Sequence, residues 1–299
     1  MHALMTGRGV GRARWLARHL CVAATLGWLC AASAQTLSGD AAGLRARYDE
    51  LRTALANSPF QEPLLLHSAS GDDALSGDVD AVIAQPFAVA GPALQERASW
   101  CDVLILHLNT KRCRLKGSSA LEMVVGRKVE QPAGVGKTVG FGFRVVSAGP
   151  DYVRVQMAAD PAPADAHDQV WLEATGVDGG RTYIHVSYSY AFGITERLAM
   201  RAYLATLGRE KIGFTVAASR ADGKPTYIGG VRGMVERNAM RYYLAVATYV
   251  DSLAVPPAER LDKRLGDWFA ATERHAPQLH EMGRDEYLTM KRNETRGMP

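Results

Sequence analysis

The chain has 299 residues, 47% of them hydrophobic, with 35 Lys and Arg against 31 Asp and Glu. The first 34 residues hold four arginines (Arg8, Arg12, Arg14, Arg18) and no acid, so the remainder carries 31 charges of each sign. A net charge near zero creates no bulk field for a polyanion, and nucleic acid is not expected as a partner.

The basic start runs into an apolar stretch from Leu20 to Ala32 and then Ala32-Ser33-Ala34. These are the parts of a secretory signal peptide over residues 1–34, with cleavage expected after Ala34. The apolar run falls short of the roughly 20 residues of a spanning helix. Cleavage would make the protein periplasmic or secreted and would remove Cys21 and Cys30. Cys101 and Cys113 would then share an oxidising compartment, where a disulfide between them is expected.

Residues 35–59 form an N-terminal unit, with an amphipathic helix over 39–57 that puts Leu44, Tyr48, Leu51 and Leu55 on one face. Strands are expected over 63–70 and 79–85, separated by a turn at Gly71-Asp72-Asp73. A helical stretch follows from Pro86 to Leu108, interrupted at Gly91-Pro92. From Ala120 the hydrophobic period changes to two, over 120–128, 138–148, 151–159, 168–176 and 180–192. Short glycine-rich links between these segments predict an antiparallel meander. Val139, Phe141, Phe143 and Val145 line one face of the segment over 138–148, and Val153, Val155 and Met157 line one face of that over 151–159. A helix is read over 194–208, then a hairpin around Asp222-Gly223, a long helix over 229–253, and a charged helical extension over 256–299.

Several motifs are misleading. Gly134-Val135-Gly136-Lys137-Thr138 resembles part of a phosphate loop, but it lacks the leading glycine and runs into a strand instead of a helix. His275 and His280 share no helical face, so no metal site is expected there. No G-x-S-x-G elbow occurs. No cofactor is called for. His107 and His185 lie in apolar or strand segments and are the candidates for a general base. His185 shares a strand face with Tyr183, Ser187 and Ser189, whereas Val186, Tyr188 and Tyr190 point the other way, and alternation alone does not say which face is inside.

The long helix is the most informative segment. Val231, Met234, Val235, Tyr242, Ala245, Val246, Tyr249 and Leu253 fall on one face, with Asn238 at its centre. A buried amide without partners costs roughly 1–3 kcal/mol. Asn238 therefore either bonds to neighbouring backbone or, with the Tyr242 and Tyr249 hydroxyls, orients a mostly apolar ligand in a partly hollow interior. Met240, Leu244 and Ala247 on the reverse side call for a cover, for which the extension is the candidate.

Two strands, a broken helix leading to Trp100, a run of antiparallel strands and one long helix make an α+β order that resembles the START-like, or helix-grip, superfamily, the group of polyketide cyclases and lipid-transfer proteins. The stretch from Val79 to Val103 and the helix of 229–253 carry the resemblance, over residues 60–255. It implies an antiparallel sheet curved around a long C-terminal helix, here with extra N- and C-terminal helices. It also implies a hydrophobic small-molecule or lipid ligand, with transient membrane contact among the expected partners; oligomeric state stays open. Met234, Phe141, Phe143, Trp100, Asn238, Tyr242 and Tyr249 are the expected ligand contacts. Three functions fit: a periplasmic carrier, a cyclase or hydrolase using His107 or His185, and a non-catalytic envelope scaffold that presents the extension. Arg127, Lys128 and Arg144 either guard an entrance or solvate a strand.

Overall fold

The computed structural model describes residues 37–70, 74–132, 134–159, 169–191, 210–220, 222–296 and 298. The leader of residues 1–34, the turn at 71–73 and the helix read over 194–208 lie outside the described residues.

Alternating sequence builds one antiparallel sheet from β1 (Leu64–Ser70), β2 (Ala74–Ile83), β3 (Thr110–Lys116), β4 (Ala120–Val125), β5 (Lys137–Ala148), β6 (Tyr152–Ala159), β7 (Gln169–Val177) and β8 (Arg181–Ala191). The order across it is β1-β2-β8-β7-β6-β5-β4-β3. The meander from β3 to β8 returns to pair with β2, where Val79 lies opposite Val186 and Asp80 opposite His185. Two short helices, α2 (Phe87–Gln95) and α3 (Arg97–Leu104), carry the chain from β2 to the far edge. β9 (Val216–Ser219) and β10 (Pro225–Tyr227) form the expected separate hairpin.

Because successive side chains of a strand point to opposite faces, each central strand serves two layers. Val79 and Ala81 of β2, Leu172 and Ala174 of β7, and Ile184 and Val186 of β8 enter the main core. Their neighbours Val82 and Tyr183, with Tyr152 of β6, pack instead against Leu44, Tyr48 and Leu55 of α1 (Ala41–Ala56). The long helix α4 (Gly230–Ser252) lies on the main-core face. Gly77 of β2 permits its close approach: a Cβ there would stand 2.9 Å from that of Ala239. The chain thus has the helix-grip architecture, with α1 on the reverse face of the sheet.

The extension forms a 3-10 turn over Pro257–Glu259 and then α5 (Arg260–Glu273), α6 (Ala276–Leu279) and α7 (Arg284–Thr295). It sends Leu265, Trp268, Tyr287 and Met290 into the main core, and Tyr243 and Leu244 of α4 share a cleft with Ala270 and Ala271 of α5. The back of α4 is covered from this side.

Four local expectations change. The break between α2 and α3 falls at Glu96, not at Gly91-Pro92. Gly91 lies under the Phe87 ring, where a Cβ would come within 2.6 Å, and Pro92 is accommodated inside α2. Glu96 has extended backbone, and its carboxylate accepts from the Ala98 amide at 3.3 Å, capping α3. β2 begins at Ala74, five residues before the apolar alternation shows itself. β3 is unheralded because Lys111, Arg112, Arg114 and Lys116 mask its pattern; such charge suits an open sheet edge. Val145 is exposed, where the register of β5 with β6 shifts.

Candidate functional site

A cavity of about 240 Å³ lies where α4 faces β4, β5 and β8. One wall is apolar: Leu104 of α3, Met123 and Val125 of β4, and Val139 and Phe141 of β5. The other is polar: His107, Asn109 and Thr110 around the α3–β3 turn, Tyr188 of β8, and Asn238 and Tyr242 of α4.

The turn that carries His107 is held from two sides. The Cys101–Cys113 disulfide ties α3 to β3 with its Cα atoms 5.2 Å apart. From α7, the buried Lys291 ammonium donates to the carbonyls of His107 and Thr110 and to Glu294, and the Tyr287 hydroxyl donates to the Leu106 carbonyl at 3.0 Å. Lys111 donates to the carbonyls of Leu108 and Val129 and to Glu294. Backbone carbonyls buried in a turn need donors from outside any regular ladder, and here two lysines supply them. Burial draws the Lys291 pKa down to about 8, with Glu294 opposing.

His107 itself is buried, its ring centroid 4.7 Å from that of Tyr242, and its Nε2 has no hydrogen-bond partner among the described residues. Burial, then the charges of Arg241, Lys291 and Lys128, pushes its pKa down to about 3. A neutral imidazole of such low basicity is a poor general base at neutral pH but a serviceable hydrogen-bonding group. Asn238 is half-buried on the same wall, and its amide makes no hydrogen bond to another described residue. The neighbouring-backbone bond that would make it an ordinary core amide is not formed.

The other expected contacts lie elsewhere. Trp100 donates to the Leu94 carbonyl at 3.0 Å and packs with its ring 6.1 Å from Phe143, both inside the core. The Tyr249 hydroxyl donates to Ser99 Oγ at 2.7 Å. Met234 packs partly buried against the core. None of these four lines the cavity. Tyr249 shares a helical face with Asn238 but stands eleven residues on, about 16 Å along the axis at 1.5 Å per residue. Sequence reasoning missed Asn109 and Thr110, which no motif marks, and did not single out Tyr188, whose strand face alternation left undecided.

His185 is on the reverse face. Its Nδ1 is 3.1 Å from Asp80 and its Nε2 3.7 Å from Asp78, with the imidazole fully buried. Arg47 of α1 grips both Asp80 oxygens at 2.7 Å, and the Tyr183 hydroxyl donates to the same carboxylate at 2.5 Å. Burial disfavours the Asp80 charge, but hydrogen bonds from His185 and Arg47 outweigh it and hold the carboxyl well below its usual range. Asp78, with desolvation dominant, is raised. Beside it the buried Glu173 accepts from the Ser38 and Gly39 amides and from Tyr152. This layer of polar contacts pins α1 and the residues before it to the sheet.

Arg127 is exposed, and Arg144 bonds Gln156 on the surface. Lys128 is half-buried and pairs with Glu281 at 2.6 Å. Among the described residues no group of three or more His, Cys, Asp or Glu side chains is placed to hold a metal ion, and no helix is long and apolar enough to cross a membrane.

No protein-family model and no curated protein sequence matches the chain. Among solved structures it is similar to the ZhuI aromatase/cyclase from Streptomyces sp. R1128, at 14% identity over 61% of this chain and 96% of that one, with a TM-score of 0.34. Human StAR-related lipid transfer protein 5 matches at 6% identity over 72% and 98%, TM-score 0.34. A truncated norcoclaurine synthase from Thalictrum flavum matches at 13% over 47% and 94%, TM-score 0.29. Likeness of this degree transfers no residue roles, and the architecture rests on the strand order and helix placement of this chain.

Proposed function

We propose that the protein is exported to the periplasm and there binds a small hydrophobic, lipid-like molecule in the cavity beside α4, as a carrier. One observation supports this above all: a cavity lined by Leu104, Met123, Val125, Val139 and Phe141 is also bordered by Asn238 and by His107, whose buried Nε2 has no hydrogen-bond partner among the described residues. An unsatisfied buried polar group such as this nitrogen costs roughly 1–3 kcal/mol, which a ligand's polar end would recover. The volume suits a molecule with one ring or a short chain, or the end of a longer one, since a 150 Å³ apolar cavity takes benzene and typical ligand pockets start near 300 Å³. The basic leader and its Ala-x-Ala site support export, as does a disulfide that requires an oxidising compartment. Loading from a bilayer would involve transient membrane contact.

The alternatives fit less well. Catalysis by a histidine asks for an orienting carboxylate and a place in the pocket on the same residue; His185 has the first and His107 the second. A scaffold presenting the extension asks for an exposed apolar patch on it, yet Leu265, Trp268, Tyr287 and Met290 are buried in the common core.

Native mass spectrometry of the protein purified from its own envelope, followed by organic extraction, tests the reading. A stoichiometric hydrophobic molecule is the expected result. A clean apo mass, with no uptake from an envelope-lipid extract, would overturn it.

A further inference from the structure

Next to the polar wall, four cationic side chains from three parts of the chain converge on one carboxylate. Glu281, in the segment between α6 and α7, accepts from Lys128 at 2.6 Å, Lys211 at 3.0 Å, Arg237 at 2.8 Å and Arg241 at 2.9 Å. Arg237 and Arg241 immediately precede Asn238 and Tyr242, the two α4 residues that line the cavity, and Lys128 follows three residues after Val125, which lines it too. Arg241 is only 6% exposed, and its Nε finds no partner among the described residues.

Among the described residues Glu281 is the carboxylate that Lys128, Lys211 and Arg241 share, one negative charge against their three positive ones. A single pair neutralises one charge, and like charges brought together in a half-buried site repel. Burial first, and then Arg241, draws Lys128 down to about 8, and burial and then Arg237 draw Arg241 down to about 10, with Glu281 opposing in both cases. A phosphate, with three free oxygens and up to two charges, would take up several donors at once, and arginine forks suit it.

We propose that Lys128, Lys211, Arg237 and Arg241 bind the oxyanion group, phosphate-like in charge, of an amphiphilic ligand whose apolar part enters the cavity, and that Glu281 fills this site until the ligand displaces it. The inference rests on the carrier reading for the apolar part, while the oxyanion part stands on the cluster itself. Residues 256–299 thereby acquire a role: they deliver an internal stand-in for the headgroup.

Isothermal titration of the folded protein with octyl phosphate, octanol and inorganic phosphate separates the two parts. Octyl phosphate is expected to bind at least tenfold tighter than octanol and than inorganic phosphate. Lys128→Gln, at a half-buried position, is expected to cut the preference over octanol at least threefold. Glu281→Gln, which removes the competitor, is expected to tighten octyl phosphate tenfold or more, an outcome a purely structural Glu281 would not give. If Glu281→Gln does not fold, Lys211→Gln joins Lys128→Gln as the second test. Octanol binding as tightly as octyl phosphate would overturn this proposal and leave the carrier reading intact. Inorganic phosphate binding as tightly as octyl phosphate would keep the oxyanion site and overturn the carrier reading. No binding of any of the three would overturn both.

Discussion

The two faces of the sheet each bury a histidine, and they use it in opposite ways. On the reverse face His185 sits between Asp78 and Asp80, its Nδ1 3.1 Å from Asp80 and its Nε2 without a hydrogen-bond partner among the described residues, in a layer where Arg47 and Tyr183 hold Asp80 and Tyr152 holds Glu173. On the α4 face His107 has no carboxylate, keeps one nitrogen unpartnered and borders a cavity of about 240 Å³. Carboxylates held by several donors lock the elements that carry those donors; an imidazole with no carboxylate beside it, at the edge of a cavity, is available to a ligand. The same residue type therefore reads as a pin on one side and a recognition group on the other.

That contrast can be broken most forcefully at Arg47. Arg47→Met leaves Asp80 buried with less compensation, and we expect about 4 kcal/mol of lost stability in chemical denaturation, with ligand affinity unchanged in the fraction that folds. A loss below about 0.5 kcal/mol would mean the reverse face is not held by this network. Next, replacing Cys101 and Cys113 together by Ala opens the short loop around His107 and should cost roughly 3 kcal/mol, with weaker ligand binding as the turn loosens. Unchanged affinity would show that the disulfide does not position the wall.

The pH dependence tests the His107 side of the comparison. His107 has a folded pKa depressed to about 3, so below the ordinary histidine value of 6.5 the unfolded chain takes up a proton that the folded chain refuses. Stability is then lost as pH falls, by about 2 kcal/mol between pH 6.5 and 5. His107→Gln should flatten this slope relative to the unmodified chain; an identical slope in both would contradict the buried, neutral assignment. Asp80 and Glu281, both depressed, contribute stability that is present above their unfolded values and lost only at lower pH, toward about 2 for Glu281. The smallest effect is on recognition: Asn238→Leu should weaken a ligand with a polar end five- to tenfold, about 1 kcal/mol, and leave a purely apolar one unaffected.

The architecture was legible in the sequence because period-two segments are insensitive to exact ends, and the long α4 stripe survives a residue or two of error. β3 was not legible, since four cations on an edge strand erase its alternation. Among the residues lining the cavity, Asn238 and Tyr242 stand out in the sequence because an amide at the centre of an apolar face breaks a pattern. Trp100, Phe143 and Tyr249 were drawn in by residue type, though a side chain's neighbours depend on its height along the helix and not only on its face. The Glu281 cluster was invisible: its members are 128, 211, 237, 241 and 281, and only folding the extension back against α4 brings them together.

The central claim, that the α4 cavity takes a hydrophobic ligand, is tested most directly by titrating octanol into the unmodified protein and into Asn238→Trp, whose indole would fill the space. The account predicts saturable single-site binding in the first and none in the second, with both folded by circular dichroism. Equal binding by the two would place the ligand elsewhere and contradict it.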